Sequence, residues 1–275
     1  MKFENCLLVS DMDGTLIDKG YINPKNFEAI NEFRSLGGTF AIATGRAGMA
    51  IDHLIDKFGE LKYSIVYNGG TVYDYTKDEP AMECYLPEED KTYFKEVLER
   101  FPDMGIEIFC GKTLYLINTS EPVKVHCDYE HLKPITATYD EIKDLNWNKA
   151  MCMYYDGFPE EKLEEMTRER SFVNSCFTKA TFELDGIVYR GFEQLPGGAH
   201  KGFGLENLRK ILNIPKENTF AIGDYYNDVE MLKTAGISAC PSGSPEDIKK
   251  HVSFISCDCN DGAVAKFIEY LKTVK

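Results

Sequence analysis

The feature that most constrains the fold is an alternation, near the N-terminus, of short apolar runs with segments of helical periodicity. The apolar runs are CLLVS (6–10), TFAIA (39–43) and YSIVY (63–67), and each contains at least three consecutive apolar residues. Such runs are typical of strands that are covered on both faces. Pro24 stands where a helix would begin after the first run, and Gly59 stands where the next helix would end. The pattern predicts parallel βαβ units.

The C-terminal end of the chain repeats this alternation. The runs TFAIG (219–223), ISAC (237–240) and VSFIS (252–256) predict strands, and segments with apolar residues at helical spacing lie between and after them. The two ends together predict an α/β fold, with a Rossmann-like, doubly wound parallel sheet as its core.

The middle of the chain has a different pattern. A helical segment near residues 93–101 is followed by the hairpin-like stretch GIEIFCGKTLYLI (105–117) and by further strand-like runs. An α+β segment inside an α/β chain indicates an inserted domain. We therefore expect a core domain made of residues 1–84 and 190–275, and an inserted α+β cap domain made of residues 85–189.

Composition and charge narrow the class of function. The 275 residues carry a formal net charge of −14, which repels polyanions at long range, so we expect no nucleic-acid partner. The nine cysteines are odd in number and form no CxxC pair, which predicts reduced thiols and a cytoplasmic protein. No apolar run approaches the roughly 18 residues of a membrane span, so we expect no membrane partner.

Three of the predicted strands end abruptly in acidic or small polar residues. The run CLLVS leads into Asp11 and Asp13, the run TFAIA leads into Thr44, and the run TFAIG leads into Asp224 and Asp228. Ligands of open parallel sheets bind in the crevice beyond the carboxyl ends of the strands, so these residues should meet in one pocket. Clustered carboxylates without Cys or His favour a hard divalent cation, and we expect Mg²⁺.

Four short motifs occur in order along the chain. They are DMDGT (11–15), TGR (44–46), Lys201 within HKGFGLENL (200–208), and GDYYND (223–228). In this order and spacing they resemble the four motifs of the haloacid dehalogenase superfamily. The chain more narrowly resembles the Cof-type phosphatases, whose α/β cap is inserted between the second and third motifs. The resemblance covers the whole length of the chain.

The resemblance implies a role for each of the acidic residues. Asp11 would be the nucleophile that forms an aspartyl-phosphate, and Asp13 would be the general acid and base. Mg²⁺ would be bound by Asp11, Asp224 and the backbone carbonyl of Asp13. Asp228 would be either an outer metal ligand or the partner of Lys201.

The resemblance also implies contacts with the substrate. Thr44 and Lys201 would hold phosphate oxygens and offset the charge that builds up in the transition state, so both are expected to be catalytic. Further substrate or phosphate contacts would come from Gly45, Arg46, Asn68 and Asn227. One position departs from the family pattern, because His200 precedes the lysine where a small polar residue is expected.

The function implied by the resemblance is hydrolysis of small phosphomonoesters, such as sugar phosphates or phosphorylated cofactors, with Mg²⁺. The cap would close over the crevice and set the choice of substrate. Two alternatives stay open, namely a phosphomutase of the phosphomannomutase type and a non-catalytic protein that binds a phosphorylated ligand. The sequence determines neither the substrate nor whether the protein is a monomer or a homodimer.

Overall fold

A computed structural model of the protein describes residues 2–59 and 61–275. The chain divides into two compact units. The core unit is formed by the residues up to Glu83 together with His200–Lys275, and the inserted unit by Cys84–Ala199. The sequence placed the second boundary near residue 190. In the structure it lies later in the chain, because the last strand of the inserted unit continues as far as Pro196.

The N-terminal part of the core unit contains the predicted strands and helices and, in addition, a hairpin. The elements are β1 (Leu7–Asp11), α1 (Pro24–Ser35), β2 (Thr39–Ala43), α2 (Gly48–Ile55), β3 (Tyr63–Val66), β4 (Thr71–Asp74) and β5 (Glu79–Glu83). Pro24 occupies the first turn of α1, and the side chain of Asn23 caps this helix by accepting a hydrogen bond from the backbone N–H of Lys25. The hairpin of β4 and β5 was not predicted, because its strands are short and the second contains a proline and two glutamates.

The inserted unit has a six-stranded sheet and four helices. Its elements are α3 (Glu88–Arg100), β6 (Gly105–Cys110), β7 (Thr113–Ile117), α4 (Glu121–Tyr129), β8 (Ile135–Thr136), α5 (Tyr139–Ile142), β9 (Lys149–Tyr155), α6 (Glu161–Arg168), β10 (Ser175–Leu184) and β11 (Ile187–Pro196). The strand order is β10-β11-β9-β6-β7-β8. Its apolar core includes Tyr93 of α3 and Trp147, both fully buried. The predicted α+β character of this segment is therefore present.

The chain then returns to the core unit. The remaining elements are α7 (Lys201–Ile211), β12 (Thr219–Ile222), α8 (Val229–Thr234), β13 (Ile237–Cys240), α9 (Glu246–Lys249), β14 (Phe254–Ile255) and α10 (Ala263–Val274). The core sheet has the order β14-β13-β12-β1-β2-β3-β4-β5. The pairs from β14 to β3 are parallel, and the β4–β5 hairpin extends the sheet in an antiparallel direction.

This topology is doubly wound, as predicted. From β1 the chain builds the sheet in one direction through β2 and β3, and later in the other direction through β12, β13 and β14. The strand order therefore reverses between β1 and β12, and such a reversal opens a crevice at the carboxyl ends of the strands. The residues that follow β1, β2 and β12 all lie at this edge.

Candidate active site

The loop after β1 brings Asp11 and Asp224 close together. Asp11 is the last residue of β1 and is almost completely buried. Gly14 has a φ of +86°, and a Cβ at this position would overlap the carboxylate of Asp224. Thr15 donates a hydrogen bond from its hydroxyl to Asp224 Oδ1 at 3.0 Å. Gly14 therefore allows this loop to approach Asp224 closely, and Thr15 binds the Asp224 carboxylate.

Three carboxylates form a compact cluster at the edge of the sheet. Asp11, Asp224 and Asp228 each offer one oxygen, and these oxygens lie within 4.8 Å of one another. Asp228 accepts hydrogen bonds at Oδ2 from the backbone N–H groups of Asp224 and Tyr225, at 3.0 and 3.1 Å. The sequence predicted that four acidic side chains would meet here. In the structure three of them do, and the side chain of Asp13 lies outside the cluster.

Lys201 lies beside this cluster and is buried. It is the first residue of α7, and its ammonium donates hydrogen bonds to Asp11 Oδ1 and to Asp228 Oδ1, the latter at 2.7 Å. Both oxygens of Asp228 are thus engaged by hydrogen-bond donors. Of the two roles that the sequence left open for Asp228, the structure therefore favours that of partner to Lys201.

The position of Lys201 depends on the residues around the start of α7. The imidazole of His200 accepts a hydrogen bond at Nδ1 from the backbone N–H of Phe203, at 3.0 Å, so His200 is the N-cap of the helix. This explains how histidine replaces the small polar residue expected here. On the other side, a Cβ on Gly69 would overlap the carbonyl oxygen of His200, so the glycine allows the turn after β3 to touch this helix end.

Burial and like charges dominate the electrostatics of the site. Burial raises the pKa of Asp11 well above its usual range, and the carboxylate of Asp228 adds to this effect. Burial and Asp228 likewise raise the pKa of Asp224. Burial works against the charged form of Lys201, but the carboxylates of Asp11 and Asp228 outweigh it and hold the lysine pKa above its usual range. The site thus contains three acidic groups and one ammonium, so a bound cation would compensate the excess of negative charge.

Asp13 and Arg46 form a pair of their own. Arg46 donates from Nε and Nη2 to the two carboxylate oxygens of Asp13, at 2.9 and 2.8 Å. The side chain of Asp13 is about half exposed, whereas that of Arg46 is mostly buried. The sequence predicted a contact between Arg46 and the substrate. In the structure its guanidinium binds the carboxylate of Asp13, the expected general acid and base, and the contact with the substrate stays a prediction.

A strained turn follows β3 and brings together two further residues predicted for the site, Asn68 and Asn227. Tyr67, Asn68 and Gly69 have φ values of 53°, 50° and 96°, a conformation that glycine adopts readily and that is uncommon for a bulky residue such as Tyr67. The turn is held by hydrogen bonds from the N–H of Tyr67 to the carbonyl of Arg46 and from the N–H of Asn68 to the carbonyl of Thr44, at 3.0 and 3.1 Å.

This turn presents its polar side chain next to the second and fourth motifs. Asn68 Oδ1 accepts a hydrogen bond from Asn227 Nδ2 at 3.4 Å, and the amide of Asn68 occupies the space beside the missing side chain of Gly45. Thr44 is buried and accepts a hydrogen bond at Oγ1 from the N–H of Arg46 at 3.1 Å. The sequence signal for the strained turn was the run Tyr67-Asn68-Gly69-Gly70, in which Asn and Gly tolerate a positive φ.

Comparison with known proteins agrees with this arrangement. The sequence profile of the haloacid dehalogenase-like hydrolases matches residues 8–268, which is nearly the whole chain. The chain belongs to this family. The fold class and the enzyme class predicted from the four motifs are thereby confirmed, and so is the resemblance to Cof-type phosphatases.

Similar members of the haloacid dehalogenase-like hydrolases are phosphatases. Phosphatase YwpJ of Bacillus subtilis is 26% identical, over 96% of this chain and 99% of its own. The 5-amino-6-(5-phospho-D-ribitylamino)uracil phosphatase YwtE of the same organism is also 26% identical, over 97% of each chain. The HMP-PP phosphatase of Serratia proteamaculans is 25% identical, over 96% of this chain and 94% of its own.

Several solved structures share the fold over almost the full length of the chain. A sugar phosphatase of subclass IIB, BT4131, superposes with a TM-score of 0.80 at 19% identity, over 97% of this chain and 99% of its own. TM0651 from Thermotoga maritima gives the same TM-score at 21% identity, over 96% and 97% of the two chains. Within residues 2–59 and 61–275, no helix is both long and apolar enough to cross a membrane.

Proposed function

We propose that this hydrolase is a Mg²⁺-dependent phosphatase that acts on small phosphorylated metabolites through an aspartyl-phosphate on Asp11. One observation carries the proposal. Residues from three separate segments, Asp11, Lys201, and the pair Asp224 and Asp228, form a single charged cluster at the carboxyl edge of the parallel sheet. The names of the relatives support the substrate class, since they are phosphatases of small phosphorylated compounds.

The donor set at this edge fits a magnesium ion. Asp11 Oδ2 is buried and accepts no hydrogen bond from the residues that the structure describes. An oxygen in this state is costly unless a cation binds it. The available donors are carboxylate oxygens, without Cys or His, which suits a hard cation such as Mg²⁺. Asp11 and Asp224 would hold the ion, and its positive charge would neutralise the phosphate oxygens when substrate binds.

The residues of the chain can carry out the two steps of hydrolysis. A carboxylate oxygen of Asp11 attacks the phosphorus, the bond to the leaving oxygen breaks, and Asp13 gives that oxygen a proton. Asp13 then takes a proton from the water that attacks the aspartyl-phosphate, which releases inorganic phosphate and restores Asp11. Lys201 and the hydroxyl of Thr44 stabilise the charge on the phosphate oxygens during both transfers. Asn68 and Asn227 would add neutral hydrogen bonds to the substrate.

The test is release of inorganic phosphate from a panel of phosphate esters in the presence of Mg²⁺, repeated with a chelator and with the variant Asp11→Asn. We expect chelator-sensitive turnover in the wild type, and none in the variant, because the substitution removes the nucleophile at nearly constant shape. Asp261→Asn, the same change at an exposed residue, is the matched control and should keep full activity. Substantial turnover by Asp11→Asn would contradict the proposed nucleophile.

The same panel distinguishes the alternatives. Isomerised sugar phosphate in place of free phosphate would indicate a phosphomutase. Binding of phosphate esters without any turnover would indicate a non-catalytic protein.

A further inference from the structure

The two sheets of the protein are open and therefore have edge strands with unpaired backbone N–H and C=O groups. In the core sheet the edge strands are β14 and β5, and in the inserted sheet they are β8 and β10. Such edges pair with other chains unless they are very short or carry proline, charges or a bulge.

Three of the four edges are protected. β14 and β8 are only two residues long. β5 contains Pro80 between the acidic residues Glu79 and Glu83, and its pairing with β4 shifts register next to Val72. A second chain would find few consecutive backbone groups at any of these edges.

The fourth edge, β10, is long and regular. It has ten residues, contains no proline, and pairs with β11 in unbroken register from Ser175 to Leu184. It ends the strand order of its sheet, and every residue in it is at least partly exposed. Its two charged residues, Lys179 and Glu183, have opposite signs.

The turn that follows β10 determines which backbone groups face the free side. Asp185 and Gly186 have φ values of 52° and 78°, as in a two-residue type I′ turn, and Leu184 pairs with Ile187 across it. In such a hairpin the pair that flanks the turn exchanges both of its hydrogen bonds, and the pattern alternates from there. The N–H and C=O groups that point away from β11 therefore belong to the odd-numbered residues, Phe177, Lys179, Thr181 and Glu183.

We propose that β10 is a dimerisation edge, at which it pairs antiparallel with β10 of a second copy of this chain about a twofold axis at Thr181. In this register Lys179 of each copy lies opposite Glu183 of the other, and Thr181 lies opposite its own equivalent. Opposite charges and threonine pairs are favourable cross-strand neighbours. On the other face Phe182 lies opposite Ala180, which leaves space for the ring.

Two other registers bring like charges together. Pairing about Lys179 would place two ammonium groups opposite each other, and pairing about Glu183 would do the same with two carboxylates. The segment Lys179-Ala180-Thr181-Phe182-Glu183 is thus complementary to itself in the register about Thr181, where its opposite charges meet, as an isologous twofold interface requires. An interface built on one strand is small, so we expect a reversible, concentration-dependent dimer.

Sedimentation velocity of the full-length chain over a wide range of concentration tests the proposal. The wild type should shift from monomer to dimer as concentration rises. Thr181→Pro should stay monomeric, because it removes an outward N–H and keeps the hydrogen bonds to β11. Its far-ultraviolet circular dichroism and its phosphatase activity per chain should match those of the wild type.

Charge variants test the register. Glu183→Lys should stay monomeric, because the introduced ammonium would face Lys179 of the second copy, and Lys179→Glu should do so for the opposite reason. A mixture of the two variants should form a heterodimer, since each charge again meets its opposite. Lys179 also contacts Glu160 and Glu164 within its own chain, so Glu183→Lys is the cleaner single variant. Glu165→Lys, the same change on an exposed position of α6, is the matched control and should dimerise like the wild type.

Two results would overturn the proposal. One is a wild type that is monomeric at every concentration. The other is a dimer that persists in both Thr181→Pro and Glu183→Lys.

Discussion

Asp11 and Asp13 stand two positions apart in the chain but lie in opposite electrostatic surroundings. Asp11 is buried beside Lys201 and two other acidic residues, whereas Asp13 is half exposed and paired with Arg46. Two carboxyl groups in such different environments can take different roles in one reaction. The proposed nucleophile, Asp11, is fixed within a charged cluster, and the proposed acid and base, Asp13, is open to solvent.

Arg46 acts on catalysis through Asp13, in our interpretation, and a double-mutant cycle measures this. Arg46→Gln should slow hydrolysis of alkyl phosphates by up to about 10²–10⁴-fold, the range of general acid–base catalysis. Aryl phosphates with good leaving groups should be affected less, because their leaving oxygen needs no proton. In the background of Asp13→Asn, the same change at Arg46 should have little further effect on kcat.

The opposite pattern would support the substrate contact predicted from the sequence. If Arg46→Gln raised KM equally for alkyl and aryl esters, and did so with or without Asp13, the guanidinium would bind the substrate phosphate. Arg46→Lys keeps the charge but loses the two-pronged geometry, and should recover only part of the activity on alkyl esters.

The dependence on Mg²⁺ should change with pH. A protonated carboxyl group is a poor metal ligand, and the pKa of Asp224 is raised by burial and by Asp228. Its protonated form therefore persists to higher pH than that of an ordinary aspartate. The Mg²⁺ concentration for half-maximal phosphatase activity should rise as pH falls through this raised pKa and level off above it. A Mg²⁺ requirement that increases with pH would contradict the assignment of Asp224 as a ligand.

The sequence was sufficient to predict the position of residues that follow directly from the ends of strands. Asp11, Thr44 and Asp224 meet because parallel strands carry them to one edge, a consequence of the alternating pattern alone. The sequence was not sufficient to predict the direction in which each side chain points. Nothing in the spacing separates Asp13, which turns toward Arg46, from Asp11, and nothing in a single histidine indicates the N-cap role of His200.

At the scale of elements, the turn after β3 and helix α7 act together. Gly69 combines a positive φ with direct contact to the carbonyl of His200, next to Lys201. We expect Gly69→Ala to displace the start of α7 and to lower kcat by about 10²-fold, as misplacement of a catalytic group by about 1 Å does. Gly157→Ala is the matched control, since Gly157 has a φ of 94° but no atom near its Cβ position.

Steady-state kinetics and thermal unfolding of both glycine variants test whether the turn positions Lys201. Both should lose some stability from the backbone strain, but only Gly69→Ala should lose kcat. Equal activities would show that the turn does not position Lys201.

A buried charge pair joins α4 to the sheet of the inserted unit. His126 Nδ1 contacts Glu107 at 2.8 Å, and both side chains are buried. Burial disfavours the charged imidazole, but the carboxylates of Glu107 and Glu130 outweigh it and raise the pKa of His126. The pair should therefore stabilise the fold fully below about pH 6.5, the ordinary histidine pKa. This stabilisation should be lost as pH rises through the raised value.

Replacement of the histidine leaves a carboxylate buried without its partner. We expect His126→Leu to lower the free energy of unfolding by about 3–5 kcal/mol at slightly acidic pH. The fluorescence of Trp147, the single tryptophan of the chain, reports unfolding of this unit in urea. His251→Leu, at an exposed position, should have little effect. If the wild type became more stable as pH rises above about 6.5, the sign of the linkage would be contradicted.

At the scale of the whole molecule, the groups proposed for phosphoryl transfer all come from the core unit. Asp11, Asp13, Thr44, Lys201 and Asp224 belong to it, and none comes from residues 84–199. In the proposed reaction these groups would recognise features that all phosphate esters share. Discrimination between esters therefore needs other residues, and we propose that the inserted unit supplies them.

Exchange of this segment tests that division of roles. Residues 84–199 replaced by the corresponding segment of a relative should transfer the relative's substrate preference and leave the requirement for Mg²⁺ unchanged. The chimera with Asp11→Asn controls for contaminating phosphatases. An exchange that keeps the original substrate preference would locate specificity in the core unit.

The glycine contacts of α7 also limit how this chemistry could be transplanted. The ammonium of Lys201 is held where it is because Gly69 and Gly204 let two backbone segments approach more closely than any side chain would allow. A lysine grafted onto the equivalent helix of another α/β protein would sit farther from its aspartates. A protein engineer would have to carry over the glycine turn together with the lysine.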